Sequence, residues 1–204
     1  GLLPSRFWKK AKYNQSWYPG ETLITGIGQG YMLATPLQLA LSTAILANKG
    51  KIVKPHMVKN IQEEPVIDPV PLGNIEQKDP SDWDRTIAAM RDVVHSPSGT
   101  AKGIAPGLTY EVAGKTGTAQ VVGIKQNESY DASKLKDWHK DHALFIGFAP
   151  VDNPRIAVAV LVENGGGGGS TAAPVGRKVM DAYFESLAQD QVSNNRLEGV
   201  TGEQ

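Results

Sequence analysis

A lysine, two hydroxyls and a glycine stand together at Lys115-Thr116-Gly117-Thr118, inside the run Val112 to Val122. In a strand alternate side chains share a face. Thr116 and Thr118 therefore point one way, while Lys115 points to the other side or bends over an edge. Gly117 removes a side chain where another backbone could approach. An edge strand of this kind pairs with an extended peptide through its main chain. Its two hydroxyls can hold a carboxylate, and its cation can attract one. The alternative is an ordinary strand with a glycine bulge, which is the better reading of K-T-G taken alone.

Other groups of chemically capable residues carry less. Asp137, His139, Asp141 and His142 could be read as metal ligands. No regular element fixes their geometry, the spacing is loose, and no metal is expected. His142 reads better as a hydrogen-bonding residue at the entry to the next strand. Gly26-Ile27-Gly28-Gln29-Gly30 is not a dinucleotide fingerprint, because the third glycine of G-x-G-x-x-G would fall at Tyr31. Gly165 to Gly169 lacks the Gly-Lys-Ser/Thr of a phosphate loop, and reads as a flexible strand-to-helix turn. The interleaved Phe7, Trp8, Lys9, Lys10, Lys12 and Tyr13 fit a surface segment packing its rings better than nucleic-acid stacking.

Bulk properties narrow the class without naming a function. At 204 residues the chain can bury a real core. Lys plus Arg equals Asp plus Glu at 21 each, so no global field points to nucleic acid or an anionic membrane. With no cysteine there is neither a disulfide scaffold nor a thiolate metal site. No apolar run approaches the roughly 20 residues of a membrane span, and no signal peptide is visible. Since the chain begins at Gly1, it is expected to be processed, trimmed or a fragment.

The elements that must position the lysine strand follow from periodicity and caps. Residues 1–34 show few regular periods. A helix follows, with Thr35 as N-cap, Pro36 at its first position, Gln38 closing a capping box, and Leu37, Leu41, Ala44 and Ile45 as its buried face. Asn48-Lys49-Gly50 stops it. A short strand over Ile52 to Val58 and a proline-rich surface excursion over 62–80 come next. A second helix is predicted from an N-cap at Ser81, burying Trp83, Ile87, Met90 and Val94 and ending at Pro97. Ser96 to Ala101 is a turn that delivers the chain to the Lys115 strand. After a long polar insertion over 123–142, two apolar runs, Ala143–Pro150 and Ile156–Val162, fit an antiparallel hairpin. A closing helix is capped by Ser170 or Thr171 and buries Val175, Val179, Tyr183 and Leu187. From about Gln189 the chain becomes a polar, frayed tail. The order helix, helix, three strands, helix makes an α+β layered domain over 1–188, followed by a tail over 189–204.

Lys115-Thr116-Gly117-Thr118 also resembles the third signature of the penicillin-recognising serine enzymes, which carry S-x-x-K, S-D-N and K-T-G. Gly26-Ile27-Gly28-Gln29-Gly30 with Ala34-Thr35-Pro36-Leu37-Gln38 resembles the segment before that strand in monofunctional, class B penicillin-binding proteins. Gly99-Thr100-Ala101, Gly114 to Gln120, Phe148-Ala149-Pro150 and Glu163-Asn164-Gly165-Gly166 fall in the family's order. Leu2-Leu3-Pro4-Ser5 and Trp17-Tyr18-Pro19-Gly20-Glu21 resemble the branch that serves cell elongation. The resemblance covers nearly the whole chain except the tail.

It implies the C-terminal half of a penicillin-binding, serine β-lactamase-like transpeptidase fold. The implied activity is a peptidoglycan D,D-transpeptidase that works through a serine acyl-enzyme and is inhibited by β-lactams. Lys115 would polarise the site, and Thr116 and Thr118 would hold the carboxylate of a D-Ala-D-Ala stem peptide or a β-lactam. The Thr118 N–H would be one of two oxyanion-hole donors, a contact worth about 3 to 4 kcal/mol. Gly117 would let that backbone approach the acyl group. No metal or organic cofactor is implied. The implied setting is the periplasmic face of the bacterial inner membrane, with a membrane anchor and a membrane glycosyltransferase of the elongation machinery as partner.

One departure is large. In the family the nucleophilic serine, its lysine base and the S-x-N element precede the K-T-G strand, and nothing suitable precedes Lys115 here. Ser133-Lys134-Leu135-Lys136 and Ser193-Asn194-Asn195 fit the letters downstream, without the apolar helix that would bury a lysine and lower its pKa. They read as chance matches. The chain alone is therefore expected not to form an acyl-enzyme and to need the missing half of its domain. Two rivals share the lysine strand: a serine β-lactamase, which hydrolyses its acyl-enzyme, and a non-catalytic β-lactam sensor fused to a signalling segment.

Overall fold

The computed structural model describes residues 1–58, 60–61, 64–65, 71–121 and 136–201. The chain divides into two compact units, Gly1–Leu39 and Ala40–Gln204.

In the first unit the sequence reading is corrected, because two short helices stand where few regular periods are visible. Helix α1 spans Arg6–Tyr13, with Ser5 Oγ accepting the Trp8 N–H at 3.1 Å and Asn14 closing it in the left-handed conformation. Helix α2 spans Pro19–Gly26 and starts on a box in which Glu21 Oε2 accepts the Tyr18 N–H at 2.7 Å. Eight residues each is too short for periodicity to register, so caps and side-chain packing specify these helices. Lys9 is buried, its ammonium paired with Glu21 and lying 4.4 Å from the Tyr18 ring centre. Trp8, Tyr13 and Tyr31 pack as one aromatic group, as expected of a segment that packs its rings, whereas Phe7 is exposed. Leu2 and Leu33 exchange backbone bonds and close the unit.

Helix α3, Pro36–Ala47, begins as expected: the Gln38 N–H donates to Thr35 Oγ1 at 3.2 Å, and the Thr35 N–H donates to Gln38 Oε1 at 3.0 Å. Its predicted buried face is corrected. Leu37 is 62% exposed, Leu41, Ala44 and Ile45 are half-buried, and the buried residues are Thr43 and Ala47. Apolar residues surround this helix on nearly every side, so a 3.6-residue period does not single out one face.

The second unit holds the core. Strands β1 (Lys51–Val53) and β4 (Pro71–Asn74) pair antiparallel, as do β2 (Asn60–Ile61) and β3 (Glu64–Pro65). The excursion over 62–80 thus contributes one strand to each of two small ladders, and strand structure stops at Val53 instead of reaching Val58. Helix α4 spans Ser81–His95. Its start is set by Asp79, whose carboxylate accepts both the Ser81 N–H and hydroxyl, so Asp79 supplies the capping group expected of Ser81. Ile87, Met90 and Val94 are buried as predicted, while Trp83, predicted with them, is half-buried.

Strands β5 (Ala113–Ala119), β6 (His142–Ala149) and β7 (Ile156–Val162) form an antiparallel sheet in that order, which bears out the predicted hairpin and the α+β class. On one face Ala113 and Phe148 pack against Ile87 and Met90 of α4 and Ala47 of α3. On the other, Val112, Ala143, Phe145 and Val158 pack against Ala172, Ala173 and Met180. Helix α5 runs Ala173–Thr201, past Gln189, where the sequence predicts a frayed tail.

The buried stripe of α5 is also corrected. Val175 and Val179 are exposed, while Ala173, Gly176 and Met180 are buried. The rotation has a local cause: a Cβ on Gly176 would lie 2.7 Å from the Phe145 ring, so only a glycine lets the helix lie against it. Gly114 faces the same ring, and a Cβ there would approach it to 2.6 Å. Ser170 and Thr171 do not cap the helix. Their hydroxyls donate to the carbonyls of Gly167 and Gly165, and one wide turn at Gly168–Ala172 leads into α5.

Candidate active site

Register fixes the faces of β5. Thr116 lies opposite Phe145 and Thr118 opposite Ala143, so both hydroxyl residues share the face of the Phe145 cluster. Lys115 and Gly117 lie opposite Ile146 and Leu144, on the other face. The Lys115 stem bends back along the strand, and its ammonium donates to the Thr116 carbonyl oxygen at 2.5 Å. Among the described residues β5 pairs only with β6, so its far side is an outer edge. The Thr116 carbonyl that accepts from Lys115 belongs to that edge. Because alternate residues direct N–H and C=O to the same side, the Thr118 N–H belongs to it too. Lys115 and Thr118 are exposed, and Thr116 and Gly117 are half-buried.

Two segments hold the strand in place. The turn after α4 is anchored by the Gly99 N–H to the Ser96 carbonyl and the Ala101 N–H to the Val93 carbonyl, both at 2.9 Å. Between those anchors Thr100 places its Oγ1 2.9 Å from Thr116 Oγ1. The glycine run leading into α5 supports the strand's backbone, with Gly168 against Gly117 and Gly169 against Thr100. Gly165, Gly168 and Gly169 are required by close packing and Gly166 by its positive φ, different reasons from the flexible turn expected from the sequence. The turn was legible from Ser96 to Ala101, but nothing in the letters signalled that its threonine meets Thr116.

The approach to the strand is equally fixed. His95 Nε2, at the end of α4, accepts the buried Val112 N–H at 3.0 Å. Arg91 of α4 binds Glu111, with the guanidinium Nε 2.9 Å from the carboxylate, and holds that carboxyl below its usual range. Tyr110 donates to Asp181 of α5 at 2.5 Å, and burial raises its hydroxyl pKa above the usual value. Arg177 binds the same Asp181 and the Ile104 carbonyl.

The four residues considered as metal ligands do not converge. Asp137 pairs with Lys140, which holds its carboxyl below the ordinary range. His142 Nδ1 accepts the Asn164 N–H at 2.9 Å, in agreement with a hydrogen-bonding role at the strand entry. Among the described residues no group of three or more such side chains could hold a metal ion. Ser133, Lys134 and Leu135 lie outside the described residues, as does most of the 123–142 insertion. Ser193-Asn194-Asn195 lies within the backbone span of α5. No described helix is long and apolar enough to cross a membrane.

Residues 7–181 match the model of the penicillin binding protein transpeptidase domain. The chain belongs to this family. It is 45% identical over 185 residues to the peptidoglycan D,D-transpeptidase MrdA of Haemophilus influenzae, covering 89% of the chain and 28% of that protein. It is 42% identical to MrdA of Acinetobacter baumannii, covering 98% of the chain and 30% of the relative. Among solved structures, Pseudomonas aeruginosa PBP2 in complex with WCK 5153 superposes with a TM-score of 0.76 at 52% identity, over 90% of the chain and 38% of that protein. Helicobacter pylori PBP2 in complex with MreC gives 0.75 at 30% identity, over 92% and 32%. The chain thus spans under a third of the length of these curated relatives and forms the C-terminal part of the transpeptidase domain.

Proposed function

We propose that this chain supplies the substrate-binding wall of a peptidoglycan D,D-transpeptidase that cross-links stem peptides through a serine acyl-enzyme during cell elongation. The observation that carries the reading is the outer edge of β5, where Lys115, Thr116 and the Thr118 backbone gather on a strand braced by the Thr100 turn and the glycine run. An extended D-Ala-D-Ala terminus, or a β-lactam in its place, would lie along that edge. Its carboxylate would be held by the Thr116 and Thr118 hydroxyls in the field of Lys115. The Thr118 N–H would stabilise the oxyanion as the carbonyl becomes tetrahedral, with Gly117 allowing the approach. The nucleophilic serine and its lysine base would come from the portion of the domain outside these 204 residues, so the chain alone would form no acyl-enzyme. No cofactor enters the scheme.

By likeness to its relatives, the complete protein would act at the periplasmic face of the inner membrane, beside a membrane glycosyltransferase of the elongation machinery. The Helicobacter pylori relative was solved with MreC, and we extend a partner of that kind to the complete protein.

Replacing Lys115 by Ala in the complete protein tests the central claim. Acylation by a fluorescent penicillin should fall at least tenfold, since a charge-assisted contact is worth about 1.5 to 3 kcal/mol. Acylation at the wild-type rate would remove Lys115 from the mechanism.

A further inference from the structure

We infer that Thr100 is a positioning residue for the substrate carboxylate, acting by setting the rotamer and the proton direction of the Thr116 hydroxyl. The inference rests on the binding role given to Thr116 above and adds a residue to it. A threonine side chain has one strongly restricted torsion, so fixing its hydroxyl fixes its methyl as well. Here the hydroxyl is held, and the methyl faces a glycine. Thr116 Oγ1 lies 2.9 Å from Thr100 Oγ1, and the Thr116 methyl lies 3.6 Å from where a Cβ on Gly169 would stand. Rotating Thr116 would lose the hydroxyl contact and move the methyl off the glycine.

Proton direction follows from the chemistry of the ligand. A hydroxyl has one proton to give and two lone pairs to receive with. A carboxylate can only accept, so Thr116 must spend its proton on the ligand. Its oxygen then accepts from Thr100. An anion at the outer edge therefore orders the pair as Thr100 to Thr116 to carboxylate, and each bond polarises the next. Without the anion, either hydroxyl can be the donor.

Thr100 is built to stay put. A Cβ on Gly99 would lie 2.4 Å from the Val93 carbonyl oxygen, and one on Gly169 would lie 2.1 Å from the Thr100 carbonyl oxygen. Ala101, the next residue, is buried and bonded to Val93. The hydroxyl is thus delivered from a segment with little freedom to adjust, which is what positioning another side chain requires.

The test uses the complete protein and two acylating probes: a penicillin, and the same penicillin with its carboxylate converted to a methyl ester. Thr100→Val keeps the shape and removes the hydroxyl; Thr100→Ser restores it. Thr116→Val reports on the underlying reading. The expected result is a fivefold to tenfold loss of acylation by the acid in Thr100→Val, appearing in the concentration dependence rather than in the limiting rate. Loss with the ester should be under twofold, and Thr100→Ser should recover most of the acid rate. Equal losses with acid and ester would make Thr100 merely structural and overturn the inference. No loss in Thr100→Val beside a clear loss in Thr116→Val would overturn it while sparing the role of Thr116. No loss in either variant would overturn both.

Discussion

Gly168 lies against the backbone of Gly117: a Cβ on Gly168 would stand 2.5 Å from the Gly117 carbonyl oxygen and 2.3 Å from that of Leu144. Both obstacles are backbone atoms of paired strands, which cannot swing aside as a side chain can. The lysine strand and the glycine run before α5 are therefore in register with each other, and either can move only if the other does.

Gly168→Ala should accordingly destabilise the complete protein by about 1 to 3 kcal/mol, the usual cost of an overpacked position. It should also slow acylation by penicillin, because β5 must shift to admit the methyl group. Gly103→Ala is the matched control. Nothing lies within 4 Å of its added Cβ, and its melting temperature and acylation rate should stay near wild type. Thermal denaturation and a fluorescent-penicillin rate on both variants make the comparison. A Gly168→Ala protein that melts and acylates like the Gly103 control would show that the two segments are not tightly coupled.

A second coupling runs through His95, which joins the end of α4 to the start of β5. The Val112 residue is fully buried, so its N–H has no recourse to water once His95 Nε2 is lost. His95→Leu should cost about 1 to 3 kcal/mol, the penalty for a buried donor without an acceptor. His95→Gln, which keeps an acceptor at similar reach, should recover part of that loss. Denaturant titration of the two variants decides it. Equal stability of His95→Leu and wild type would mean that Val112 finds another acceptor.

How far the letters reached can be seen by comparing elements. The capping box at Thr35 and Gln38, the α4 stripe of Ile87, Met90 and Val94, and the β6–β7 hairpin were all legible, because caps and apolar periods are local signals. Lys115 to Thr118 stood out by residue type and spacing. What was hidden depends on contacts between distant segments. The α5 stripe was misplaced by about one position because Val175 and Val179 look like better core residues than Gly176. Only the Phe145 ring, thirty-one positions earlier in the chain, reveals why a glycine is wanted there. Thr100 was visible only as part of a turn for the same reason: its partner is sixteen residues away. Helices α1 and α2 escaped because their specification lies in Ser5, Glu21 and the buried Lys9 rather than in any repeat.

That buried lysine gives the first unit a pH dependence whose sign can be worked out. Glu21 is held below the ordinary carboxylate value of 4.5, first by the hydrogen bond from Lys9 and then by the Tyr18 N–H. A carboxyl with a depressed folded-state pKa contributes stability that is fully present above its unfolded value. That contribution is lost as pH falls through the folded value. The Lys9–Glu21 pair should therefore support the first unit fully at pH 7, begin to weaken below about 4.5, and contribute nothing once Glu21 is protonated in the folded state. Glu21→Gln mimics the protonated form. In melts of the complete protein from pH 7 to pH 3, wild type should be the more stable at neutral pH, and its advantage over Glu21→Gln should shrink steadily below 4.5. An advantage that stays constant over the whole range would mean that Glu21 acts through its shape and not its charge. An advantage that grows on acidification would reverse the sign assigned here and place the Glu21 pKa above its ordinary value.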